Sequence, residues 1–406
     1  MEPGVNGKAT PGSMWRRLKK SGRVLAGLSF ALLFCLISLF CYLLSPDKTP
    51  FANRTCLPIG NQPPGFEVNM LRVMENKPTV HQNFFSRLLF GTNSSDIYIP
   101  ISSSRFEGTD IIVKEFSASG DSSFESHFNI ADVVYPINEQ KEIAERNGGL
   151  FFETADGVAV EESINDIQGF IEGQYLFRKK FILGTDRFGR DVLSRLLVST
   201  RTTIISAFAI TIVALIAGFL VGCFAGIFRW GSKALGWIIY SVLSIPGMLL
   251  IIALMFVTGN GFRQAFIVAG CVLSAEVAGS VFRKISATRE KKFIVNAQAL
   301  GLYRWQIVRS HLLPGTFEPL LTTGATVFCA AILIENSLSF LGIEFHERVP
   351  SWGAIIRENF GYIIVPGYSY LAIFPGIAII IVSLVFVILS RGLRSTLGVD
   401  YYNSII

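Results

Sequence analysis

Residues Phe293–Pro319 read FIVNAQALGLYRWQIVRSHLLPGTFEP, a polar and basic stretch between two apolar segments that are each long enough to span a bilayer. The pattern predicts a short helix, a turn at Gly301 and a second short helix that ends at Pro314. Gly301 suits the turn because only glycine takes a positive φ at no steric cost. Trp305 and Ile307 are apolar side chains of the second helix. Such a loop is either a solvated connector or a docking surface, and we expect docking.

The composition is that of an integral membrane protein. The chain has 406 residues, of which 50% are hydrophobic and only 16% are charged, and its mean hydropathy is +0.48. Soluble domains do not carry this balance. The net charge is +6, and the basic residues cluster beside apolar segments rather than along one polar face. It therefore indicates membrane topology and not nucleic-acid binding.

Six apolar runs are about twenty residues long, the length that crosses a bilayer as a helix. In chain order they are Val24–Leu44, Ile204–Phe228, Leu235–Val257, Ala265–Phe282, Leu320–Leu338 and Tyr370–Leu389. The first ends without a small-x-small cleavage pattern, so we expect an uncleaved span. Lys and Arg concentrate in the segments that share a side with the N-terminus, which places both termini in the cytoplasm.

The long polar segment from Asp47 to about Lys180 then lies on the extracytoplasmic side. Gly, Ser and Asn turns divide it into β-leaning stretches, which predicts a β-rich or α+β domain. The expected strands are Ile97–Ile101, Asp110–Phe116, Ala131–Ile137 and Leu150–Thr154. Cys56 is the one cysteine of this segment, so no disulfide can form within it.

After this segment, Gly184–Asp191 (GTDRFGRD) precedes apolar positions spaced for one helical face over Val192–Thr203. Thr185 or Asp186 is the expected cap, because a side-chain oxygen there can accept from free amides of the first turn. The pattern predicts an amphipathic helix at the outer membrane surface. A plain juxtamembrane linker fits it equally well.

Five motifs now stand in order along the chain. They are Gly184–Leu197 (GTDRFGRDVLSRLL), Ala297–Gly301 with His311–Pro314, Glu335–Gly342 (ENSLSFLG), Ser351–Gly353 (SWG) and Phe374–Gly376 (FPG). This order resembles the C-type permease subunit of oligopeptide and dipeptide ABC importers. Pro246 also falls where that family has a proline in its third span.

The resemblance implies an all-α membrane protein with six transmembrane helices in the type I ABC importer permease fold. The extracytoplasmic β-rich or α+β domain would be an insertion between helices 1 and 2. The implied division is a basic cytoplasmic tail 1–23, a first span 24–44, the extracytoplasmic domain 45–183, a permease core 184–399 with a cytoplasmic coupling loop 283–319, and a cytoplasmic tail 400–406.

The resemblance also implies function, partners and location. The chain would be one subunit of an ATP-driven importer of di- and oligopeptides in the bacterial inner membrane. Its partners would be a second homologous permease, two ABC ATPases, an extracytoplasmic binding protein and the lipid membrane. ATP and Mg²⁺ would bind to the ATPase subunits, and no cofactor is expected in this chain.

The site residues that the resemblance implies form three groups. ATPase coupling falls on Asn296, Ala297, Gln298, Ala299, Leu300, Gly301, His311 and Pro314. Structural motif positions are Gly184, Thr185, Asp186, Gly189, Arg190, Asp191, Pro246, Trp352 and Pro375. Glu276 and Glu335 lie within spans, where a carboxylate is costly, and are candidates for the pathway or for gating. Because Val295 and Asn296 replace the family's Glu and Ala, we expect the coupling helix to dock by apolar and amide contacts.

The residues carry no catalytic motif and no metal-binding motif, and the chain is not expected to be an enzyme. Two alternatives stay open. One is a membrane-anchored envelope sensor or scaffold whose outer domain is the working part. The other is a permease of the same family that carries nickel or another small chelate.

Overall fold

The computed structural model describes residues 16–397, apart from 17, 78–81, 93–95, 118–123, 139, 147, 260 and 344–348. Most of the predicted tail 1–23 and the whole of the predicted tail 400–406 lie outside the described residues.

The elements alternate between helices and strands only in the first half of the chain. The helices are α1 (Gly22–Leu39), α2 (Cys41–Leu44), α3 (Phe84–Phe90), α4 (Ile130–Val134), α5 (Ile164–Phe170), α6 (Val192–Ile227), α7 (Arg229–Ser244), α8 (Gly247–Thr258), α9 (Phe262–Arg289), α10 (Lys292–Ala299), α11 (Arg304–Ile307), α12 (Leu313–Gly315), α13 (Phe317–Phe340), α14 (Trp352–Glu358) and α15 (Tyr370–Leu397). The strands are β1 (Phe66–Val73), β2 (Ile97–Glu107), β3 (Asp110–Glu115), β4 (Glu125–Asn129), β5 (Ala144–Arg146), β6 (Gly149–Glu153), β7 (Ala159–Ser163) and β8 (Leu176–Phe181).

The chain divides into two compact units. A helical unit contains the chain up to Ser38, Ser199–Glu358 and the chain from Phe374. A β-rich unit contains Leu39–Val198 and Asn359–Ile373. The segment 45–183, expected as a separate domain, thus shares its unit with the Gly184–Asp191 motif and with a short C-terminal segment.

The β-rich unit is built on two antiparallel sheets. Five strands run in the order β4-β3-β2-β1-β8, and three run in the order β5-β6-β7. Buried and exposed side chains alternate along the strands, and the buried ones form the core. In β6, for example, Leu150 and Phe152 are buried and Phe151 between them is exposed. These two buried side chains join Leu71 and Ile111 of the larger sheet in one apolar cluster. The predicted β-rich character is therefore present in the described residues.

The strand expected over Ala131–Ile137 is wrong, because Ile130–Val134 forms the helix α4. Asn129 is the N-cap residue of this helix, and its side-chain oxygen accepts a hydrogen bond from the Ala131 amide at 3.0 Å. That capping bond fixes a helical turn where the β-branched composition alone favours a strand.

Five of the described helices are long and apolar enough to cross a bilayer, namely α1, α6, α9, α13 and α15. A sixth span results if α7 and α8 count as one, although they meet at an angle of 98°. The expected third span, Leu235–Val257, is therefore bent rather than straight. Pro246 explains the break, since the residue before a proline avoids the helical region, and Ile245 has φ −88° and ψ 133°.

The amphipathic helix expected over Val192–Thr203 is not a separate element. The structure shows one continuous helix, α6, of 36 residues that begins at Val192 and runs on through the apolar segment. No glycine or proline interrupts the sequence at the predicted junction, so nothing there breaks the helical hydrogen bonds.

A stripe of glycines fixes the contact between α6 and α9 inside the helical unit. Cβ atoms added at Gly218, Gly222 and Gly226 would lie 2.5 to 2.8 Å from atoms of α9. Small residues at this four-residue spacing let two membrane helices approach closely and gain dispersion energy. The α9 side of this contact leads directly into the loop that follows.

Candidate functional site: the loop after α9 and its supports

The loop between α9 and α13 has the predicted order of helix, turn and helix. Gly301 follows α10 and has φ +86°, and among the described residues no atom beyond its chain neighbours lies within 4 Å of a Cβ placed there. Glycine is therefore required by the backbone conformation and not by crowding within the chain. The second helical segment ends at Gly315, one residue after Pro314, where it was expected to end. It runs through a π turn, Val308–Leu312, into α12, where Pro314 occupies a first-turn position that needs no amide donor.

One face of the loop is built into the helical unit. Ile294, Ile307 and Leu312 are at most 4% exposed. They share an apolar cluster with Val281 and Ile285 of α9. The loop is therefore held against the membrane helix by direct packing rather than joined to it by the backbone alone.

Two polar contacts hold the ends of the loop. Lys284 Nζ lies 2.9 Å from Glu318 Oε2, which ties the end of α9 to the start of α13. Arg289 Nη1 donates to the carbonyl of Gly226 at 3.1 Å and so satisfies a carbonyl near the C-terminus of α6. Three membrane helices are thus joined at the base of the loop.

Three large side chains of the loop are apolar or aromatic and exposed. Leu300 is 82% exposed, Tyr303 is 78% exposed and Trp305 is 66% exposed. We call these three residues the outer patch. Large apolar and aromatic side chains that point into solvent within a basic loop are typical of a protein interface. Sequence reasoning counted Trp305 and Ile307 together, whereas the structure places Trp305 outside and Ile307 inside.

The predicted coupling residues divide between the two faces. Asn296, Ala299, Gly301 and Pro314 are exposed, as is Leu300. Ala297 and His311 are partly buried. The side chain of Gln298 lies outside the described part of the chain.

The Gly184–Asp191 motif forms a tight polar junction within the β-rich unit. Asp186 is 1% exposed and accepts hydrogen bonds from the amides of Phe188 and Arg190 at 2.9 and 3.0 Å. Its other carboxylate oxygen pairs with Arg190 Nε at 2.7 Å and Arg195 Nη1 at 2.8 Å. A buried carboxylate this fully bonded holds the turn in one shape.

Close approach explains the two glycines of this motif. A Cβ at Gly189 would lie 1.8 Å from the carbonyl oxygen of Cys56, and a Cβ at Gly184 would lie 2.4 Å from that of Gln62. Thr185 Oγ1 bridges the same segment, since it donates to the Ile59 carbonyl at 2.6 Å and accepts from the Gln62 amide at 2.8 Å. The motif therefore anchors the chain that leads into β1.

Asp191, and not Thr185 or Asp186, caps α6. Its carboxylate accepts from the Ser194 amide at 3.2 Å and also bonds the Ser194 hydroxyl. Burial raises the pKa of Asp191, while the bonds from Ser194 and the charge of Lys179 act in the opposite direction. Thr185 and Asp186 are unavailable as caps because their oxygens are used inside the turn.

The motifs that contain Glu335 and Trp352 meet inside the helical unit. The amide of Gly353 donates to Asn336 Oδ1 at 2.8 Å, and Trp352 is 1% exposed. Glu335 is fully buried, and its Oε1 accepts from Ser339 Oγ at 3.3 Å. The contact locks α14 onto α13. Glu335 directly precedes Asn336 on α13, and its bond to Ser339 stays within that helix.

The other predicted positions are separate from one another. Glu276 is partly buried on α9, and the charges of Arg283 and Arg394 act on it. Pro375 is buried within α15, and Pro246 is exposed at the break between α7 and α8.

Sequence reasoning missed two features of the site. The first is Tyr303 of the outer patch, whose signal was its place directly after the Gly301 turn. The second is the glycine stripe on α6, whose four-residue spacing is visible in the sequence.

Comparison with known proteins agrees with this architecture. The family described as the binding-protein-dependent transport system inner membrane component matches residues 214–397. The dipeptide transport system permease protein DppC of Alkalihalophilus pseudofirmus is 32% identical over 216 residues, which cover 53% of this chain and 70% of that protein. The glutathione transport system permease protein GsiD of Pectobacterium atrosepticum is 30% identical over 53% of this chain and 71% of that protein.

Among solved structures, an inward facing MetNI methionine ABC transporter covers 49% of this chain and 95% of its own chain, at 17% identity and a TM-score of 0.37. A likeness at that score supports no conclusion.

The helical unit, its loop and these relatives define a membrane-spanning permease subunit of an ABC importer. The chain belongs to the family of binding-protein-dependent transport system inner membrane components.

Proposed function

We propose that this permease passes di- and oligopeptides from an extracytoplasmic binding protein to the cytoplasm, driven by ATP hydrolysis in partner subunits. The two permease relatives support the substrate class, since their names refer to dipeptide and glutathione transport. Neither of them is named for nickel or for a chelate, which is why peptides are preferred to that alternative.

The proposal that the loop couples to the ATPases rests on the outer patch. The patch offers two aromatic side chains and a leucine to a partner, while the reverse side of the loop packs on α9. Closure of two ATPases on ATP would press on the patch and move α9 with the loop. Alternating access in a pair of homologous permeases follows if that movement opens one side of the bundle as it closes the other.

Charge supports the proposed topology. Basic residues cluster at two places. At the start of α1 or just before it they are Arg16, Lys19, Lys20 and Arg23, and at the entrance of the loop they are Lys284, Lys291 and Lys292. The positive-inside rule then assigns both regions, and the C-terminus, to the cytoplasm. If α7 and α8 count as one span, an even number of spans precedes the loop, so the loop lies on the same side as the N-terminus. The β-rich unit follows the first span and would therefore lie on the opposite, extracytoplasmic side. There it would serve as a docking surface for the binding protein or as a lid over the entrance.

The two intramembrane carboxylates take different proposed roles. Glu276 is a candidate for the pathway, since it is only partly buried and lies under the influence of two arginines. Glu335 is a candidate for gating, because it is fully buried on α13 and directly precedes Asn336, whose Oδ1 accepts from the Gly353 amide and holds α14 against α13.

The test replaces Trp305 by alanine and compares it with Trp237→Ala, because Trp237 is a similarly exposed tryptophan at 72%, on α7. An aromatic side chain buries about 150–250 Å². Two-thirds of that area at about 25 cal/mol per Å² gives about 2–4 kcal/mol of docking energy. Copurification with the ATPases and uptake of a labelled dipeptide are both measured.

Trp305→Ala is expected to weaken ATPase copurification by about thirtyfold or more and to lower uptake in parallel, whereas Trp237→Ala retains copurification. Normal copurification and uptake in Trp305→Ala would contradict the coupling proposal. Uptake of a nickel chelate, but of no peptide, by the wild-type complex would contradict the substrate proposal alone.

A further inference from the structure

A cavity of about 330 Å³ opens in the β-rich unit beside α2 and α3. Its lining combines two basic side chains, Lys48 and Arg87, with the aromatic and aliphatic side chains of Tyr42, Phe84 and Leu88. No acidic side chain among the described residues lines the cavity, and neither cation lies within ion-pair distance of a carboxylate in the described part of the chain. The cavity therefore presents positive charge that no carboxylate of the described residues neutralises.

The walls of this cavity are held together by specific contacts. The Thr92 amide donates to the Lys48 carbonyl at 2.7 Å, and the Phe51 amide donates to Tyr42 Oη at 3.3 Å. Gly91 has φ +79°, and a Cβ there would lie 2.8 Å from the Lys48 carbonyl oxygen. Only glycine permits this approach, so the two basic residues are brought together by a built turn and not by chance.

The residues around the cavity have the composition of a membrane interface. α2 begins at Cys41, with a single residue between it and the end of the membrane-spanning helix α1. Leu43 of α2 is 62% exposed, and on α3 Phe84, Phe85 and Phe90 are 70%, 73% and 64% exposed. Aromatic rings and basic side chains at the end of a span are typical of the zone between acyl chains and headgroups. Water alone would leave this apolar area uncovered.

We propose that the cavity binds an anionic phospholipid of the surrounding bilayer. Lys48 and Arg87 contact the headgroup phosphate, with Arg87 able to donate two parallel hydrogen bonds to its oxygens. Phe84, Phe85 and Leu43 lie against the acyl chains. Charge complementarity selects an anionic headgroup, and the exposed rings select a lipid over a soluble phosphate. The proposal does not depend on the transported substrate.

The test is native mass spectrometry of the delipidated full-length chain in detergent, titrated separately with phosphatidylglycerol and phosphatidylcholine. Lys48→Gln combined with Arg87→Gln removes the two cations. The matched control is Lys114→Gln combined with Arg146→Gln, which removes two exposed cations from strands of the same unit. Glycerol 3-phosphate is titrated as a headgroup without acyl chains, and thermal unfolding of each variant checks that the unit is folded.

Wild type and control are expected to retain one phosphatidylglycerol in preference to phosphatidylcholine. The Lys48/Arg87 variant is expected to bind phosphatidylglycerol about thirtyfold more weakly, because each basic side chain near an anionic surface is worth about fivefold. Equal binding of the two lipids by wild type, or equal loss in both double variants, would overturn the proposal. Tight binding of glycerol 3-phosphate would also overturn it, by showing a soluble-anion site. If the Lys48/Arg87 variant does not fold, Phe84→Ser combined with Phe85→Ser must lower lipid retention, and its failure to do so would contradict the lipid site.

Discussion

Replacement of Gly353 by alanine should release α14 from α13. A Cβ at this position would lie 2.0 Å from the backbone carbonyl oxygen of Asn336 and 2.8 Å from its carbonyl carbon. Backbone atoms of a helix cannot rotate aside as the end of a flexible side chain can. The whole of α14 must therefore shift, and the 2.8 Å hydrogen bond from the Gly353 amide to Asn336 Oδ1 must lengthen or break.

The loss of stability expected for Gly353→Ala has two sources. A buried amide that loses its partner costs about 1–3 kcal/mol. Overpacking of a close contact costs about 1–3 kcal/mol more. Trp352, which is 1% exposed, moves with its neighbour and adds lost packing. We therefore expect a loss of about 2–6 kcal/mol in the free energy of unfolding.

The assay is thermal unfolding of the detergent-solubilised protein followed by tryptophan fluorescence. Gly353→Ala should lower Tm by roughly 5–15 °C. Gly361→Ala is the control, because in the described part of the chain no atom apart from its chain neighbours lies within 4 Å of a Cβ at that position. In a double-mutant cycle, Asn336→Ala and Gly353→Ala should be less than additive, since both remove the same bond. A Tm for Gly353→Ala equal to that of Gly361→Ala would show that the close contact between α14 and α13 does not exist.

Three further expectations concern other parts of the chain. Gly222→Ala should lower Tm by roughly 3–10 °C, because its Cβ would lie 2.7 Å from the carbonyl oxygen of Ala278. The control Gly324→Ala should change Tm little, since the nearest atom to its Cβ is 3.5 Å away. Equal shifts in the two variants would contradict the close helix contact. Burial raises the pKa of the Cys56 thiol to about 11, so the folded state favours the neutral thiol and loses this stabilisation as the pH rises from the ordinary thiol value toward 11. In a variant that keeps only this cysteine, maleimide labelling at pH 8 should be about a hundredfold slower than that of a free thiol and should become fast after unfolding in detergent, and rapid labelling of the folded protein would contradict the buried position. Glu276→Gln should reduce dipeptide uptake while leaving Tm nearly unchanged, and normal uptake at every pH tested would remove Glu276 from the pathway.

Local signals predicted well wherever backbone chemistry alone decides the conformation. Gly301 was expected to turn the loop, and its φ of +86° agrees. Pro246 was placed in the third span, but the sequence did not show that the chain bends by 98° there, because a proline permits a kink whose size is set by packing. The second helical segment ends one residue after Pro314, at Gly315, because a proline also fits the first turn of the short helix α12.

Non-local contacts explain most of what could not be predicted. β1 pairs with β8 in the register Phe66↔Phe181 to Leu71↔Leu176, across more than a hundred residues, and no local pattern specifies that partner. The cap at Asp191 was missed because Thr185 and Asp186 are used elsewhere, which only the folded turn reveals. The two faces of the loop, by contrast, were open to prediction. Trp305 and Ile307 are two positions apart, so they cannot share one face of a helix.

Cysteine cross-linking between the loop and the ATPase determines whether the outer patch is the docking surface. Leu300→Cys is placed in a background without the native cysteines, and Phe256→Cys, on α8 with 91% exposure, is the control. We expect Leu300→Cys to form an adduct with the ATPase subunit that changes in yield with ATP, and Phe256→Cys to form none. A complex that hydrolyses ATP and imports substrate while Leu300→Cys gives no adduct with the ATPase would contradict docking through this loop.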